Sequence, residues 1–270
     1  MERITSADNA TLKFGRKLLR SARERTQSGK ILLDGVHLVA AYKARFGLSN
    51  NILFVDERAV GSPEIATLLQ ALPTDSRVLL VEPHLLATLS PVRTPTGIVA
   101  LCDRPVVKAK DQQDPFHLLL DGIQDPGNLG SILRTAAATG VDRVILTETC
   151  TDAWSPKCLR GGMGAQFAVP IETVVEPVSV ISRFQGKTIS TSPAGRIPLM
   201  QAELRGSLLA AFGGEGAGLA PELAASTHMS IRVTLQNDIE SLNVGAAVAM
   251  FCYERSRQEE PWVAESGQGN

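Results

Sequence analysis

The sequence predicts an α/β protein with an open, mainly parallel sheet, and three observations lead to that expectation. Strand-length apolar runs alternate with helix-length segments, the pattern of sheets that carry helices on their faces. The alternation breaks once, at the polar stretch KAKDQQDPF (108–116), and then restarts. Apolar residues make up 44% of the 270 and charged residues 20%, so the chain can bury a sizeable core, and its length suits two domains better than one.

Residues 11–25, TLKFGRKLLRSARER, have the period of a helix, with Leu12, Leu18, Leu19 and Ala22 on one side and Lys13, Arg16, Lys17, Arg20 and Arg23 as a stripe on another. A charge run is commonly no more than a solvated helix face. Here acids scarcely offset it, which favours contact with a phosphate backbone. KILLDGVHLVAAYKARF (30–46) reads as a strand turning into a helix at Asp34-Gly35. NILFVDE (51–57) and RVLLVEP (77–83) read as buried strands, PEIATLLQAL between them as a helix, and TPTGIVALCDR (94–104) as a turn leading into a strand. Beyond the break, HLLLDGI (117–123) is a strand, GSILRTAAATG (130–140) a helix closed by Gly140, and DRVILTE a strand. Further helix and strand candidates run from SPKCLRGGMGAQF to VGAAVAMFCYERSRQ, and the last dozen residues, Trp262 apart, read as a frayed tail.

The formal net charge of −1 gives no global bias toward nucleic acid or membrane, but residues 1–30 are net positive and the remainder net negative. Cys102, Cys150, Cys158 and Cys252 are scattered, as are His37, His84, His117 and His228, so neither a zinc site nor a disulfide framework is expected. The start is polar and charged, unlike a signal peptide, and no apolar run reaches the length of a membrane span. A reduced, cytoplasmic protein with no metal and no membrane partner is the expectation.

Three stretches carry chemistry. In DGIQDPGNLGSILRTAAATG (121–140) a strand delivers the chain to a loop holding Asn128, a helix starts near Gly130, and Arg134 lies one turn in. Ligands of open α/β sheets sit beyond such strand ends, and an arginine fork suits phosphate; equally, Asn128 can cap the helix and Arg134 can be a surface residue. AAFGGEGAGLAPELAAS (210–226) sets Glu215 among Gly213, Gly214, Gly216 and Gly218. It is neither a P-loop nor a dinucleotide fingerprint, because no Lys-Ser or Lys-Thr follows the last glycine and the glycine spacing is wrong. A glycine cluster alone more often means turns than a ligand site. IRVTLQNDIESLNVGAAVAMFCYE (231–254) leads through a polar loop to Ser241-Leu242-Asn243 and an alanine-rich helix, where Ser241 or Asn243 can serve as a cap.

Taken together, N-L-G-x-x-x-R, then G-G-E-G-A-G, then S-L-N-V-G-A-A resemble the three-motif signature of the SpoU (TrmH-like) RNA ribose 2′-O-methyltransferases. The resemblance is close over 117–254 and looser at GKILLDGVHLVAAY and TPTGIVAL, which resemble the amino-terminal RNA-binding domain common in that family. It implies a carboxyl-terminal, trefoil-knotted, mainly parallel sheet domain over 116–258 behind a smaller α/β RNA-binding domain over 1–107, with a linker at 108–115 and a flexible tail at 259–270. It implies S-adenosylmethionine as cofactor, resting against Gly213, Gly214, Gly218, Val233, Leu242, Asn243 and Ala247. Asn128, Arg134, Glu215 and Asn243 are the implied catalytic residues.

The implied reaction is in-line displacement of the cofactor's methyl group by a ribose 2′-hydroxyl, with alignment supplying much of the acceleration. A carboxylate in the loop would favour the sulfonium cation or orient Asn128 and Asn243 by hydrogen bonds, although a buried acid satisfied by loop amides is also compatible. Arg134 would clamp a phosphate and stabilise developing alkoxide rather than act as a base. The family is dimeric, so a homodimer through the knotted domain is implied. SPKCLRGGMGAQFAVP (155–170) matches a further family segment at Arg160, Gly164 and Ala165, whereas many members have serine where Gly162 and Gly245 stand. Lys13, Arg16, Lys17, Arg20, Arg23 and Arg160 are the expected RNA contacts, with ribosomal RNA favoured over transfer RNA. A non-catalytic RNA-binding or assembly protein with the same fold is the alternative from another class. A dinucleotide-dependent oxidoreductase lacks its glycine pattern.

Overall fold

The computed structural model describes residues 1–109, 111–237 and 239–259. The chain forms two compact units. One comprises Met1–Lys108, Asp125–Arg134 and Thr151–Pro170; the other comprises Ala109–Gln124, Thr135–Cys150 and the chain from Ile171 onward.

The first unit contains β1 (Glu2–Ile4), α1 (Ala10–Arg20), α2 (Ala22–Ser28), β2 (Lys30–Asp34), α3 (Val36–Phe46), β3 (Ile52–Asp56), α4 (Pro63–Gln70), β4 (Arg77–Val81), α5 (Pro83–Ala87) and β5 (Ile98–Asp103). Its five strands lie in the order β1-β4-β3-β5-β2. The β1-β4-β3 part is parallel, whereas β5 runs antiparallel to both β3 and β2. Apolar side chains alternate between two faces of this sheet. Ile31, Leu33, Leu53, Val55, Ile98 and Ala100 join one core, and Leu32, Phe54, Leu79, Val99 and Leu101 join another beneath α1.

The helix expected over 11–25 is two helices. Ser21 is extended (φ −120°, ψ 113°), ending α1 and capping α2 by accepting the Glu24 amide at 3.2 Å. The break explains why Ala22 is exposed while Leu12 and Leu18 are buried.

The remaining elements are β6 (Phe116–Asp121), α6 (Pro126–Ala138), β7 (Arg143–Thr147), α7 (Pro156–Gly162), β8 (Ile171–Val174), α8 (Pro177–Arg183), β9 (Lys187–Thr191), β10 (Ile197–Pro198), β11 (Leu208–Gly213), α9 (Pro221–Ala225), β12 (Met229–Arg232) and α10 (Val244–Glu259). All seven strands belong to the second unit and form one wholly parallel sheet in the order β10-β12-β9-β11-β6-β7-β8. Parallel strands covered on both faces read as continuous apolar runs, as in FHLLLD of β6 and LLAAFG of β11. Helix α10 packs on the sheet centre, where Phe251 meets Phe212 at 5.4 Å and Phe116 at 6.2 Å between ring centroids.

These units cut across the linear division expected from the sequence, because two returning segments pack with the first unit. Leu159 and Phe167 enter its core beside Ile31 and Leu33. Buried Arg25 donates from Nε to Asp152 at 2.6 Å and from Nη1 to the Leu18 carbonyl. The start of α6 lies backbone to backbone on α7. A Cβ on Gly130 would come 2.7 Å from the Cys158 carbonyl oxygen and 2.8 Å from the Gly162 nitrogen, so only glycine fits. Helix α6 opens at Pro126, one turn earlier than expected, because Asp125 Oδ1 accepts the amides of Gly127 (2.7 Å) and Asn128 (2.9 Å) and proline suits a first helical position. Asn128 is therefore inside the first turn, and Asp125 does the capping.

Gly140 (φ +74°) closes this helix as expected. The described part of 104–115 forms no helix or strand. Of the tail expected over 259–270, Glu259 closes α10, and 260–270, Trp262 included, lie outside the described residues. No helix among the described residues is long and apolar enough to cross a membrane.

Candidate functional site

In the second unit β11 runs to Gly213, in register with Asp121 of β6, and the chain then folds back tightly. A Cβ on Gly213 would lie 1.9 Å from the Leu219 nitrogen, and one on Gly214 would lie 2.3 Å from the Gly122 carbonyl oxygen. Gly214 and Gly218 bridge across the loop, the Gly218 amide donating to the Gly214 carbonyl at 3.0 Å. Glu215 is exposed on this loop, and its Oε1 accepts a hydrogen bond from Asn243 Nδ2 at 2.8 Å. Asn243 turns its other side-chain atom, Oδ1, to the amides of Gly245 (2.9 Å) and Ala246 (3.3 Å) at the start of α10. Asn243 is therefore a helix cap and a partner of Glu215 at once.

The other expected cofactor residues lie on the same unit. β9 stands between β11 and β12, so Gly213 at one strand end and Val233 just past the other flank it, about 10 Å apart at the usual strand spacing. Leu242 precedes the cap and is half-buried, as is Ala247 within α10, whose amide donates to the Asn243 carbonyl at 3.1 Å. The segment after β9 also reaches this rim, although its TSPAG turn carried no functional signal in the sequence. The Ser192 amide donates to the Ile231 carbonyl at 3.0 Å, and Arg232 Nη1 holds the carbonyls of Gly195 (2.7 Å) and Arg196 (2.8 Å).

Sequence reasoning also missed Asp121. Its Oδ2 accepts the Ala220 amide and its Oδ1 the Thr147 hydroxyl, each at 3.0 Å. The available signal was an acid at a strand's carboxyl end directly before glycine. A cavity of about 610 Å³ opens beside it, beyond the ends of β6, β7 and β8. Its lining includes Asp121, Glu148, Glu176 and Glu222 with Val174, Val178 and Leu223, and none of the expected site residues. Its four carboxylates repel the phosphates of RNA, and the motif residues Glu215 and Asn243 lie on the glycine loop instead.

In the first unit, Asn128 is half-buried in the opening turn of α6 and Arg134 is exposed further along it. Arg134 makes no ion pair among the described residues. The Asn128 amide holds the Asp125 carboxyl below the usual carboxylate range, helped by Lys157 at 3.2 Å. Arg160, in the last turn of α7, is 43% exposed on its side chain and donates to Asp34 Oδ2 at 2.9 Å, an oxygen that also accepts the Ser90 hydroxyl at 3.1 Å. Burial pushes the Asp34 carboxyl up against those two partners, and its Oδ1 is buried without a hydrogen bond.

The basic stripe is unevenly free. Lys13 pairs with Asp8 at 2.9 Å, and Arg16 is held by Thr88 Oγ1 (3.0 Å) and the Ala7 carbonyl (2.7 Å). Lys17, Arg20 and Arg23 are exposed and make no ion pair among the described residues. Among the described residues no group of three or more His, Cys, Asp or Glu is arranged to hold a metal ion.

The family model of the SpoU rRNA methylases matches residues 115–253, more than half of the chain. The chain belongs to the SpoU rRNA methylase family. An uncharacterized tRNA/rRNA methyltransferase of Synechocystis sp. is 35% identical over 268 residues, covering 97% of this chain and 96% of that protein. The 23S rRNA (guanosine(2553)-2′-O)-methyltransferase RlmP of Bacillus subtilis is 31% identical over 255 residues, covering 94% and 98% respectively. The SpoU methyltransferase AviRb from Streptomyces viridochromogenes, solved in complex with AdoMet, superposes with a TM-score of 0.84 at 25% identity over 93% of this chain and 98% of that one. The mainly parallel α/β architecture expected from the sequence is thus the SpoU one, and both Glu215 and Asn243 fall inside the family match.

The resemblance sets serine where this SpoU chain has Gly162, and the structure supplies a reason for glycine. A Cβ there would come 2.4 Å from Oε1 of Gln166, a fully buried side chain whose amide donates to the carbonyls of Ala153 (3.2 Å) and Cys158 (3.1 Å). The glutamine occupies the space a serine would need. At Gly245, the backbone amide is already engaged by the Asn243 cap.

Proposed function

We propose that this chain transfers a methyl group from S-adenosylmethionine to a ribose 2′-hydroxyl of ribosomal RNA. The observation that carries the reading is the Glu215–Asn243 hydrogen bond, formed between two motif residues 28 positions apart inside the family match. The activity named for the Bacillus subtilis relative supports ribosomal RNA as substrate and the ribose as target. The AdoMet bound to AviRb supports the cofactor.

The residues present fit that cofactor. The loop offers an exposed carboxylate and close-packed backbone rather than cationic side chains, a donor set that suits a cation and not a phosphate. S-adenosylmethionine supplies an electrophilic methyl group on a positively charged sulfur. Gly213, Gly214, Gly218, Val233, Leu242 and Ala247 would hold it, and Asn243 would be kept in orientation by Glu215. Arg134 would bind phosphate and stabilise charge developing on the attacking oxygen, because a guanidinium donates hydrogen bonds and has no site that accepts a proton. Asn128 would orient the same reacting end of the substrate. Lys17, Arg20 and Arg23 offer the freest cationic surface for RNA, Lys13 and Arg16 a more committed one, and Arg160 a half-exposed one. Residues 1–107 would then serve as the RNA-binding domain and 116–258 as the knotted catalytic domain. The chain's return from β12, beyond β9, to the sheet centre through α10 supports the threading. Exposed Met250 (47%) and Tyr253 (70%) on α10 support a homodimer through that helix.

The test is methyl transfer from labelled S-adenosylmethionine to separated rRNA and tRNA, followed by nuclease digestion and nucleoside mass spectrometry. A 2′-O-methylnucleoside from the rRNA pool is expected. The Synechocystis relative's name keeps tRNA as the second reading, and label confined to the tRNA pool would select it. Label on a base would overturn the ribose assignment.

A further inference from the structure

We infer that Asp121 is a positioning residue for the glycine loop: its carboxylate ties the far end of that loop to the sheet and so keeps Glu215 in place against Asn243. The inference rests on the reading that this loop holds S-adenosylmethionine.

The near end of the loop is anchored by the sheet itself, where Gly213 pairs with Asp121. From Gly214 to Gly218 the backbone bonds to itself, and beyond Ala220 the amides of Leu223 and Ala224 bond back to the Ala220 carbonyl within α9. Neither set ties the loop to a strand. The Ala220 amide does, donating to Asp121 Oδ2 at 3.0 Å.

A bond from an amide to an ionised carboxylate is roughly twice as strong as one between neutral groups. Leu219 and Ala220 also pack against the apolar cluster of Leu119, Ile145, Leu209, Ala211 and Leu223, a contact without direction, whereas the bond to Asp121 fixes where the backbone sits. With four glycines, the segment would sample many conformations if released.

Asp121 is itself fixed. The Thr147 hydroxyl donates to its Oδ1 at 3.0 Å, while the same hydroxyl oxygen accepts the Gly122 amide at 3.2 Å and meets Thr149 Oγ1 at 2.7 Å. Thr147 is buried at the end of β7, so the carboxylate is referred to two adjacent strands of the sheet. A chain of contacts thus runs from Thr147 through Asp121 and Ala220 into the loop, and from Glu215 to the cap of α10. Asp121 touches neither cofactor nor substrate in this scheme and acts through the loop.

Asp121→Asn keeps the side-chain volume but cannot accept at both oxygens, and Thr147→Val removes the hydroxyl that orients the carboxylate. The measurements are S-adenosylmethionine affinity by calorimetry, KM for cofactor and for RNA, thermal midpoint, and amide exchange over 214–220. Asp121→Asn is expected to weaken cofactor binding about tenfold, to raise the cofactor KM in step while leaving the KM for RNA unchanged, and to speed exchange at Ala220 and its loop selectively. Thr147→Val is expected to weaken binding about threefold in the same pattern, and it carries the test if Asp121→Asn does not fold. A folded variant of either kind with unchanged cofactor affinity would overturn the inference. Equal losses for cofactor and RNA together with a lowered midpoint would also overturn it, because that is what a general structural role produces. Failure of the unaltered protein to bind S-adenosylmethionine would instead overturn the reading on which the inference rests.

Discussion

Replacing Asn243 separates its two tasks. Asn243→Ala removes the acceptor for the Gly245 and Ala246 amides and the donor to Glu215 together. Loss of such a cap costs about 1 kcal/mol. The bond to Glu215 adds at most a further ~1 kcal/mol, because both residues are exposed and water replaces the partner. A total of about 1–2 kcal/mol lowers the thermal midpoint by roughly 2–6 °C.

Asn243→Asp keeps the acceptor and adds a negative charge at a helix start, which is favourable by ~0.3–1 kcal/mol. It also turns the contact with Glu215, 2.8 Å in the native pair, into one between two carboxylates. At exposed positions about 4 Å apart that repulsion is roughly 1 kcal/mol. The two effects cancel, so this variant should melt close to the native protein, yet its loop loses the hydrogen bond and S-adenosylmethionine should bind less tightly. Adding Glu215→Gln supplies a donor opposite the new acceptor and should restore the affinity. Thermal melts and calorimetric titration of the three variants decide the matter. If Asn243→Asp were as unstable as Asn243→Ala, the cap would not be what Asn243 contributes. If it bound cofactor as the native protein does, the Glu215 contact would have no part in holding the loop.

Arg134→Ala should abolish methyl transfer while sparing cofactor affinity, since Arg134 stands on α6 and not on the glycine loop; single-turnover assays beside calorimetry check this, and full activity would remove it from the mechanism. Gly162→Ser should destabilise by about 1–3 kcal/mol through overlap with Gln166, and Gln166→Ala in the same chain should relieve part of that loss in a denaturant melt. Asp125→Ala should cost about 1 kcal/mol at neutral pH by uncapping α6. The Asp125 carboxyl is held below its ordinary 3.8, so its stabilisation is present above that value and is lost as pH falls through the lower folded value. The gap in stability between Asp125→Ala and the native protein should therefore close in acid and stay constant near neutrality.

The periodic features of the chain are local, and they could be read directly. Alternating apolar runs become the strands of both sheets, Gly140 ends α6, and Pro221 opens α9, because hydrophobic period, left-handed glycine and proline's fixed φ act over a few neighbouring residues. The motif residues Asn128, Arg134, Glu215 and Asn243 were legible as residue types at recognisable spacings, and all four lie within the 115–253 that the family model matches. Local pattern failed at Ser21, where one helical period hides a break, and at Asp125, whose capping role was given to Asn128.

What only the tertiary structure decided depends on residues far apart in the chain. Asn243 could cap by its type alone, and it also holds Glu215 because the glycine loop brings that carboxylate within 2.8 Å of it. Asp121 is one acid among 28 until Ala220, 99 positions later, presents an amide to it. The basic residues of the amino-terminal region look alike in sequence, yet Arg25 is buried on Asp152 while Lys17, Arg20 and Arg23 stay in solvent. Likewise, Asp125–Arg134 and Thr151–Pro170 follow the polar break in sequence but pack with the first unit, because Gly130, Leu159 and Phe167 find their complementary surfaces there. Periodicity encodes which face of an element is apolar; which face of which other element covers it is settled by shape, and by the polar groups that burial leaves to be paired.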